Sequence, residues 1–356
     1  SFWEAGASII GGCCGTTPAH IAAMVKTFRA AEDLVRLPIE QIAVGDRAGR
    51  EQPEALPPTN LAQKLSDGKF VIAVEMDPPR GVATHKLLAG ASLLAEAGAD
   101  VIDVADSPMA RMRMSPWAVC SLIQRKIGVE TVLHFPTRGR NVLRVQGDLL
   151  AAHALDVRNI FVVMGDPTSI GEYPDAMDNY DLVPSGLIKL IKQGFNAGLD
   201  LSGSDIGQPT SFFAGCALNL NPADMTTEIR NLRRKLKAGA DFILTQPIYR
   251  PELVTAFLQA YEAEHGKLPI PLIAGLLPLA SARHAAFLQS EVPGIEIPIE
   301  TRELMDKSGD QGARTGIQLT IDLVRQIKPH VQGIYLMPAF QRYDYAAEII
   351  SSVVTL

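Results

Sequence analysis

Read as a sequence, the chain is an α/β protein whose main body is a (β/α)8 barrel, and three observations predict it. Short apolar runs rich in β-branched residues recur at 70–76, 101–105, 131–135, 159–164, 211–217, 242–246, 270–276 and 332–337. Helical patterns lie at 84–97, 115–126, 141–156, 183–197, 223–238, 251–264, 280–289 and 311–328. Two of those helices end in the same device, EAGAD before Val101 and KAGAD before Phe242, with Gly98 and Gly239 placed to close them in the left-handed conformation. Eight strands alternating with eight helices is the count of a closed barrel. A doubly wound open sheet has the same alternation and is the second choice; the number eight favours closure.

Taken in order, residues 1–44 open with an apolar stretch at Ala7–Ile10, a turn at Gly11–Gly12, and Thr17–Pro18 as N-cap and first residue of a helix through Phe28. One strand–turn–helix unit cannot bury both faces, so it packs on the rest or ends something larger. Residues 45–68 are polar, contain prolines and lack apolar periodicity, which reads as a linker. The barrel then begins at about residue 69. Its first strand, VIAVEMDPPR from Val71 to Arg80, runs into Glu75 and breaks at Pro78–Pro79.

Composition narrows the function classes. The 356 residues are 47% hydrophobic and 20% charged, as expected of a globular protein with a large core. A net charge of −6 argues against a nucleic-acid surface. No stretch reaches the length of a membrane span, and the cysteine count of 4 supplies no disulfide framework. Together these give the expectation of a cytoplasmic protein acting on a small molecule, without a membrane or nucleic-acid partner.

If the barrel closes, the residues just beyond each strand share one rim, and here they are polar. They are Glu75 and Asp77, Asp103 and Asp106, His134, Asp166 in MGDPT, Gln246 in TQP, and Arg342 in MPAFQRYD. A carboxylate there becomes a general acid if burial raises its pKa, and a histidine carries or donates protons. Neither a Rossmann nor a P-loop fingerprint occurs, so a bound nucleotide would need helix N-termini and basic side chains on the rim. Lys235 in NLRRKLKAGAD is either such a cation or part of a solvated helix face. The adjacent Cys13–Cys14 offers two thiolates for zinc; with no third ligand nearby the site is incomplete, and Cys120 and Cys216 read as core residues.

From about Lys69 to the end, the chain resembles methylenetetrahydrofolate reductase. The resemblance rests on VEMDPPR, LHFPTRGRN, VVMGDP, LRRKLKAGADFILTQP and AGLLPL, in that order. It implies a flavin-bearing (β/α)8 barrel that reduces 5,10-methylenetetrahydrofolate to 5-methyltetrahydrofolate with NADH or NADPH as donor. Glu75 then matches the acid that protonates folate N10, and Asp166 the aspartate near flavin and pterin. Gln246 matches the glutamine that binds folate and nicotinamide, and His134, Glu228 and Lys235 match FAD-binding positions. Ala105 and Met164 stand where the best-known bacterial enzymes have a threonine and an arginine on the flavin. His284 and Leu288 stand where they have a glutamine and a phenylalanine beside the substrate, so His284 joins the expected folate contacts, with Arg342 added as a rim residue of the last strand.

The opening GGCCGTTPAHI resembles the last unit of a homocysteine S-methyltransferase barrel, whose zinc ligands include the paired cysteines. The whole arrangement resembles bacterial fusions of the two enzymes, which makes an upstream methyltransferase domain the expected covalent partner, zinc-bound only when that domain is present. A homo-oligomer is a further expectation. Two other functions use the same residues: a flavin-independent pterin or aldol-type barrel enzyme, and a non-catalytic barrel that supports the methyltransferase half.

Overall fold

The computed structural model describes residues 10–12, 15–29, 56–292 and 294–355. By its contacts the chain divides into two units, Ser1–Pro53 and Glu54–Leu356. In the first, the described element is helix α1, Pro18–Arg29, begun by Pro18 in the first turn as the sequence predicts. The expected strand at Ala7–Ile10 and the pair Cys13–Cys14 lie outside the described residues, apart from Ile10, which is in no strand.

The second unit is a closed barrel of eight parallel strands, each paired with its sequence neighbour and β8 with β1. They are β1 (Val71–Met76), β2 (Val101–Val104), β3 (Glu130–Pro136), β4 (Asn159–Val163), β5 (Phe213–Leu218), β6 (Phe242–Pro247), β7 (Leu272–Leu276) and β8 (Gly333–Leu336). All eight coincide with the apolar runs of the sequence, and closure excludes the open sheet. The helices after β1 to β6 are α3 (His85–Ala97), α4 (Pro116–Ile127), α5 (Val142–Ala154), α6 (Pro184–Lys189, continued by irregular turns to Ala197), α7 (Met225–Ala238) and α8 (Glu252–His265). Gly98 and Gly239 do close α3 and α7, with φ of 108° and 105°.

Three helices depart from expectation. Between β7 and β8 lie α9 (Ala282–Glu291), α10 (Ile299–Ser308) and α11 (Gly312–Ile327), and after β8 the chain ends in α12 (Tyr343–Val354). The sequence count of eight therefore placed two helices before β8 and left α10 and α12 unassigned. The stretch read as linker also holds a helix, α2 (Asn60–Ser66). Its two leucines, Leu61 and Leu65, are buried with Val71, Val101 and Val132 inside the barrel, closing the end where the strands begin. Seven residues with two leucines are too few for periodicity to detect.

The period of two along each strand divides the core. Ile72, Val74 and Met76 of β1 pack outward under the helices, whereas Val71 and Ala73 point into the barrel. Inside, Phe161, Phe242, Leu244, Ile273 and Tyr335 fill the lumen, so the barrel is a packed core rather than a pore. Gly215 makes room for this: a Cβ there would sit 2.3 Å from the Phe242 ring.

Candidate active site

Polar groups collect at the carboxyl ends of the strands. Glu75 continues the inward set of β1, and the register sets it beside Asp103 of β2, which is itself beside Val132 of β3. His134 follows two residues along β3. Its Nε2 lies 3.4 Å from Asp103 Oδ1, outside hydrogen-bond geometry, and its ring stands edge-on to Phe161 with centroids 4.9 Å apart. Asp103 is fully buried, and neither of its carboxylate oxygens has a hydrogen-bond partner among the described residues.

The electrostatics of this group follow from burial. Desolvation pushes the Glu75 carboxyl up to about 7, against the pull of His134 and with the help of Asp77, Asp103 and Asp166. Burial also raises Asp103, while His134 offsets part of that rise. Burial alone would lower the imidazole, yet Asp103, Glu75 and Asp106 together raise it. Asp77 is raised by burial against the influence of Arg113, whose Nη2 is 3.8 Å away. Behind these groups the Cys120 thiol is held up to about 12 by burial and is inert. Tyr343, the first residue of α12, lies close enough to Asp77 and Glu75 for their charges to raise its hydroxyl further above its ordinary value.

Two cavities flank this centre. One, of about 520 Å³, lies over the loops after β2, β3 and β4. Its cations are Arg111, Arg138, Arg140 and Arg144, and its anions Asp106, Asp148, Asp166 and Asp178, so its charge balances. Arg140 bridges Asp106 and Asp148 at 2.5 and 2.6 Å, Arg138 holds Asp178 at 2.8 Å, and Arg144 pairs with Asp148. Asp166 reaches across it to accept the Met109 backbone N–H at 2.7 Å, holding a loop in which Ser107, Met109 and Ala110 all have left-handed backbones. The second cavity, of about 580 Å³, lies beside the end of β1 between Asp77, Arg80, His85, Lys86, Arg113 and Tyr343, and here positive groups predominate.

The remaining expected residues are distributed unevenly. Gln246 is exposed at the mouth, next to an irregularity in the β6–β7 pairing. That irregularity needs Gly275, because a Cβ there would lie 2.3 Å from the Thr245 carbonyl oxygen. Glu228 and Lys235 are tied to the end of β5: Glu228 accepts from Asn219 N–H at 3.1 Å, and Lys235 Nζ donates to the Ala217 carbonyl at 2.6 Å. His284 is buried in α9, where Nδ1 accepts from Ala280 N–H at 3.1 Å; its ring centroid is 5.0 Å from that of Phe340, and burial lowers its pKa. Arg342 is exposed, bound to Asp344 at 2.6 Å and stacked 3.6 Å over Tyr345. Met164 accepts a hydrogen bond from the Thr137 hydroxyl through sulfur at 3.4 Å, and Ala105 is buried. Sequence reasoning missed Arg113, Tyr343 and the Arg140 network. Only the LHFPTRGRN run carried a signal, two arginines immediately beyond a strand end. Among the described residues no cluster of three or more potential ligands could hold a metal ion, and no helix is long and apolar enough to cross a membrane.

The sequence model of methylenetetrahydrofolate reductase matches residues 60–353, from the first residue of α2 almost to the end of α12. This chain belongs to the methylenetetrahydrofolate reductase family. A second model, homocysteine S-methyltransferase, matches residues 1–28. Among similar proteins, methylenetetrahydrofolate reductase 1 of Schizosaccharomyces pombe is 24% identical over 216 residues, 59% of this chain and 33% of that protein. The probable methylenetetrahydrofolate reductase (NADH) of Oryza sativa subsp. japonica is 20% identical over 280 residues, 75% of this chain and 45% of that protein. The chain thus spans from a third to less than half of the length of these relatives. A solved structure from Clostridium thermocellum, of a protein described as binding two copies of 5-methyl-5,6,7,8-tetrahydrofolic acid, superposes with a TM-score of 0.59 at 14% identity. It covers 83% of this chain and 99% of that one, a likeness of fold.

Proposed function

We propose that this chain reduces 5,10-methylenetetrahydrofolate to 5-methyltetrahydrofolate, with Glu75 as the general acid. One observation carries the reading: a carboxyl held near neutrality by burial, at the mouth of a family barrel. Opening the five-membered ring of the substrate requires a proton on N10, a poorly basic nitrogen, and a carboxyl titrating near 7 both keeps its proton and gives it up. The cationic iminium that results is favoured by the carboxylate of Asp166 on the rim. The glutamate carboxylates of folate suit the cation-rich cavity of Arg80, Lys86 and Arg113, while Gln246, His284 and Arg342 stand as further folate contacts. A non-catalytic scaffold would have no use for Asp103, a carboxylate buried in its core without a hydrogen-bond partner among the described residues.

The residues fit a flavin at its ring end. The orphaned Nε2 of His134 and the carboxylate of Asp166 are donor and acceptor at the mouth, and the balanced cavity beside them offers Arg138 and Arg140 to phosphates in exchange for Asp178 and Asp106. FAD, when bound, supplies the hydride, with NADH or NADPH as the ultimate donor. Glu228 and Lys235 already serve the end of β5, and Ala105 and Met164 offer the ring no charged group, so FAD should bind weakly. Activity should rise with added FAD; flavin retained in full through long dialysis would contradict weak binding. With an upstream methyltransferase domain, Cys13 and Cys14 would complete a zinc site; without it, metal analysis should find zinc well below one per chain.

The test is Glu75→Gln, assayed with added FAD. Folate reduction should fall by roughly 10²–10⁴-fold, while nicotinamide oxidation by the flavin continues. Turnover at the wild-type rate would remove Glu75 from the acid role.

A further inference from the structure

A neutral carboxyl beside an imidazolium is not a stable arrangement for two groups alone, since the charged histidine draws the proton off its neighbour. The barrel contains a third group that changes this. Asp103 is the cross-strand neighbour of Glu75, and its Oδ1 lies 3.4 Å from His134 Nε2. Both its oxygens and that nitrogen are buried without hydrogen-bond partners among the described residues. Burying such a carboxylate is costly, and folding has no need of it: an apolar residue of similar size would serve the lumen better.

We propose that Asp103 is a positioning residue, the buried counter-ion that keeps His134 charged without taking the proton of Glu75, so that acid and imidazolium coexist at the mouth. The assignment rests on Glu75 as the acid of the proposed reaction. The groups facing the trio are few. Glu75 feels Asp77 just past its own strand and Asp166 from the loop after β4, and His134 feels Asp106 from the loop after β2. Cys120 of α4 stands behind Asp103 as a neutral thiol, Tyr343 of α12 faces Glu75 and Asp77, and Arg113 is turned to Asp77. None of these other groups lies within ion-pair distance of His134, so the neutralising charge falls to Asp103. Three coupled groups then share two protons near neutrality, one on His134 and one on Glu75. Without the charge of Asp103, Glu75 is the strongest remaining negative influence on His134, ahead of Asp106, and the two compete for one proton.

The two partners therefore have opposite effects on the same titration. Asp103→Asn should lower the midpoint of Glu75 by roughly 1–3 pH units, the effect of an opposite charge within ~4–6 Å. His134→Gln should raise it above the wild-type value. The direct measurement is the carboxyl signal of Glu75 in 13C-glutamate NMR of the full chain without folate or nucleotide, assigned by its loss in Glu75→Gln. In the pH profile of kcat/KM, the alkaline limb of Asp103→Asn should move by the same amount towards acid, with the acidic plateau retained. Rate at pH 8 should then drop by roughly 10–10³-fold, while thermal stability should not fall.

An unmoved midpoint in Asp103→Asn, or a loss of stability with no change in titration, overturns the assignment. Should Asp103→Asn fail to fold, His134→Gln decides alone: an upward shift supports the counter-ion, and a downward or absent shift overturns it. If the midpoints move as stated but wild-type protein with FAD reduces no folate, the reaction assignment fails and the counter-ion stands.

Discussion

The two ends of the barrel are made by the same strands a few residues apart, yet they carry opposite chemistry. At the end where the strands begin, Val71, Val101 and Val132 point inward and α2 seals them with Leu61 and Leu65. Two to four residues further on, the inward positions of the same strands are Glu75, Asp103 and His134. The closed end buries apolar area at roughly 25 cal/mol per Å² and contributes stability. The open end desolvates carboxylates and gives stability away. In a barrel of this kind the two roles separate along the strand axis, so a substitution at one end should affect one property and spare the other.

The largest effect expected of that separation is a double dissociation. Glu75→Gln should cost roughly 3–5 kcal/mol in the barrier, equivalent to the 10²–10⁴-fold loss, without lowering thermal stability. Leu65→Ala should do the reverse, costing roughly 2–5 kcal/mol of stability for a buried leucine with kcat unchanged in the folded fraction. Urea melts and turnover on both variants check the pair, and a catalytic defect in Leu65→Ala would break the division between the ends.

How much of this division the sequence carries depends on the range of the interaction. The eight strands were legible because each is a local apolar run, and the helix stops at Gly98 and Gly239 because each is a local device. Strand-end polarity was legible too, since Glu75, Asp103 and His134 are the polar residues set into the later part of otherwise apolar runs. The plug was not, because α2 shows only Leu61 and Leu65 and gains its meaning from strands far along the chain. The extra helix α10 is mostly polar, and α12 lies beyond the last strand where an eight-by-eight count had no place for it. Ion pairs such as Arg140 with Asp106 and Asp148 join the loop after β3 to the loop after β2 and to α5, and the engagement of Lys235 with the Ala217 carbonyl depends on how α7 packs against β5. Residue type at a strand end locates a candidate; only the fold shows which partners it has.

The next effect sharpens the cost at the open end. The Glu75 carboxyl is raised in the folded protein from 4.5 to about 7, so the folded state binds its proton more tightly than the unfolded chain does. Stability from this group is complete below about 4.5, falls as pH rises, and is lost above about 7. The loss amounts to at most about 3 kcal/mol at pH 8. Glu75→Gln removes it, so its stability should match wild type near pH 4.5 and exceed it at pH 8. Denaturant melts at the two pH values check this; an advantage that does not grow with pH would mean that Glu75 is not desolvated.

The smallest effect concerns how the plug is held. Helix α2 has only seven residues, too short to form without help. Its first turn is satisfied from two directions. The Thr59 side chain accepts from Ala62 N–H at 3.1 Å, and the carboxylate of Glu130, the first residue of β3, accepts from Asn60 and Leu61 N–H at 2.9 and 2.8 Å. A carboxylate at a helix N-terminus takes up donors that otherwise lack partners and complements the helix dipole. Glu130 thus fastens the plug to the strand whose far end carries His134. Glu130→Ala should cost roughly 0.5–2 kcal/mol, the range for losing a cap, and should leave the pH profile of turnover unmoved. Hydrogen exchange should show faster opening of the Asn60–Ser66 amides in that variant, with those of β1 and β3 still protected. If β1 and β3 open along with α2, the plug is part of the barrel's cooperative core, and Glu130 stabilises the whole barrel rather than one helix.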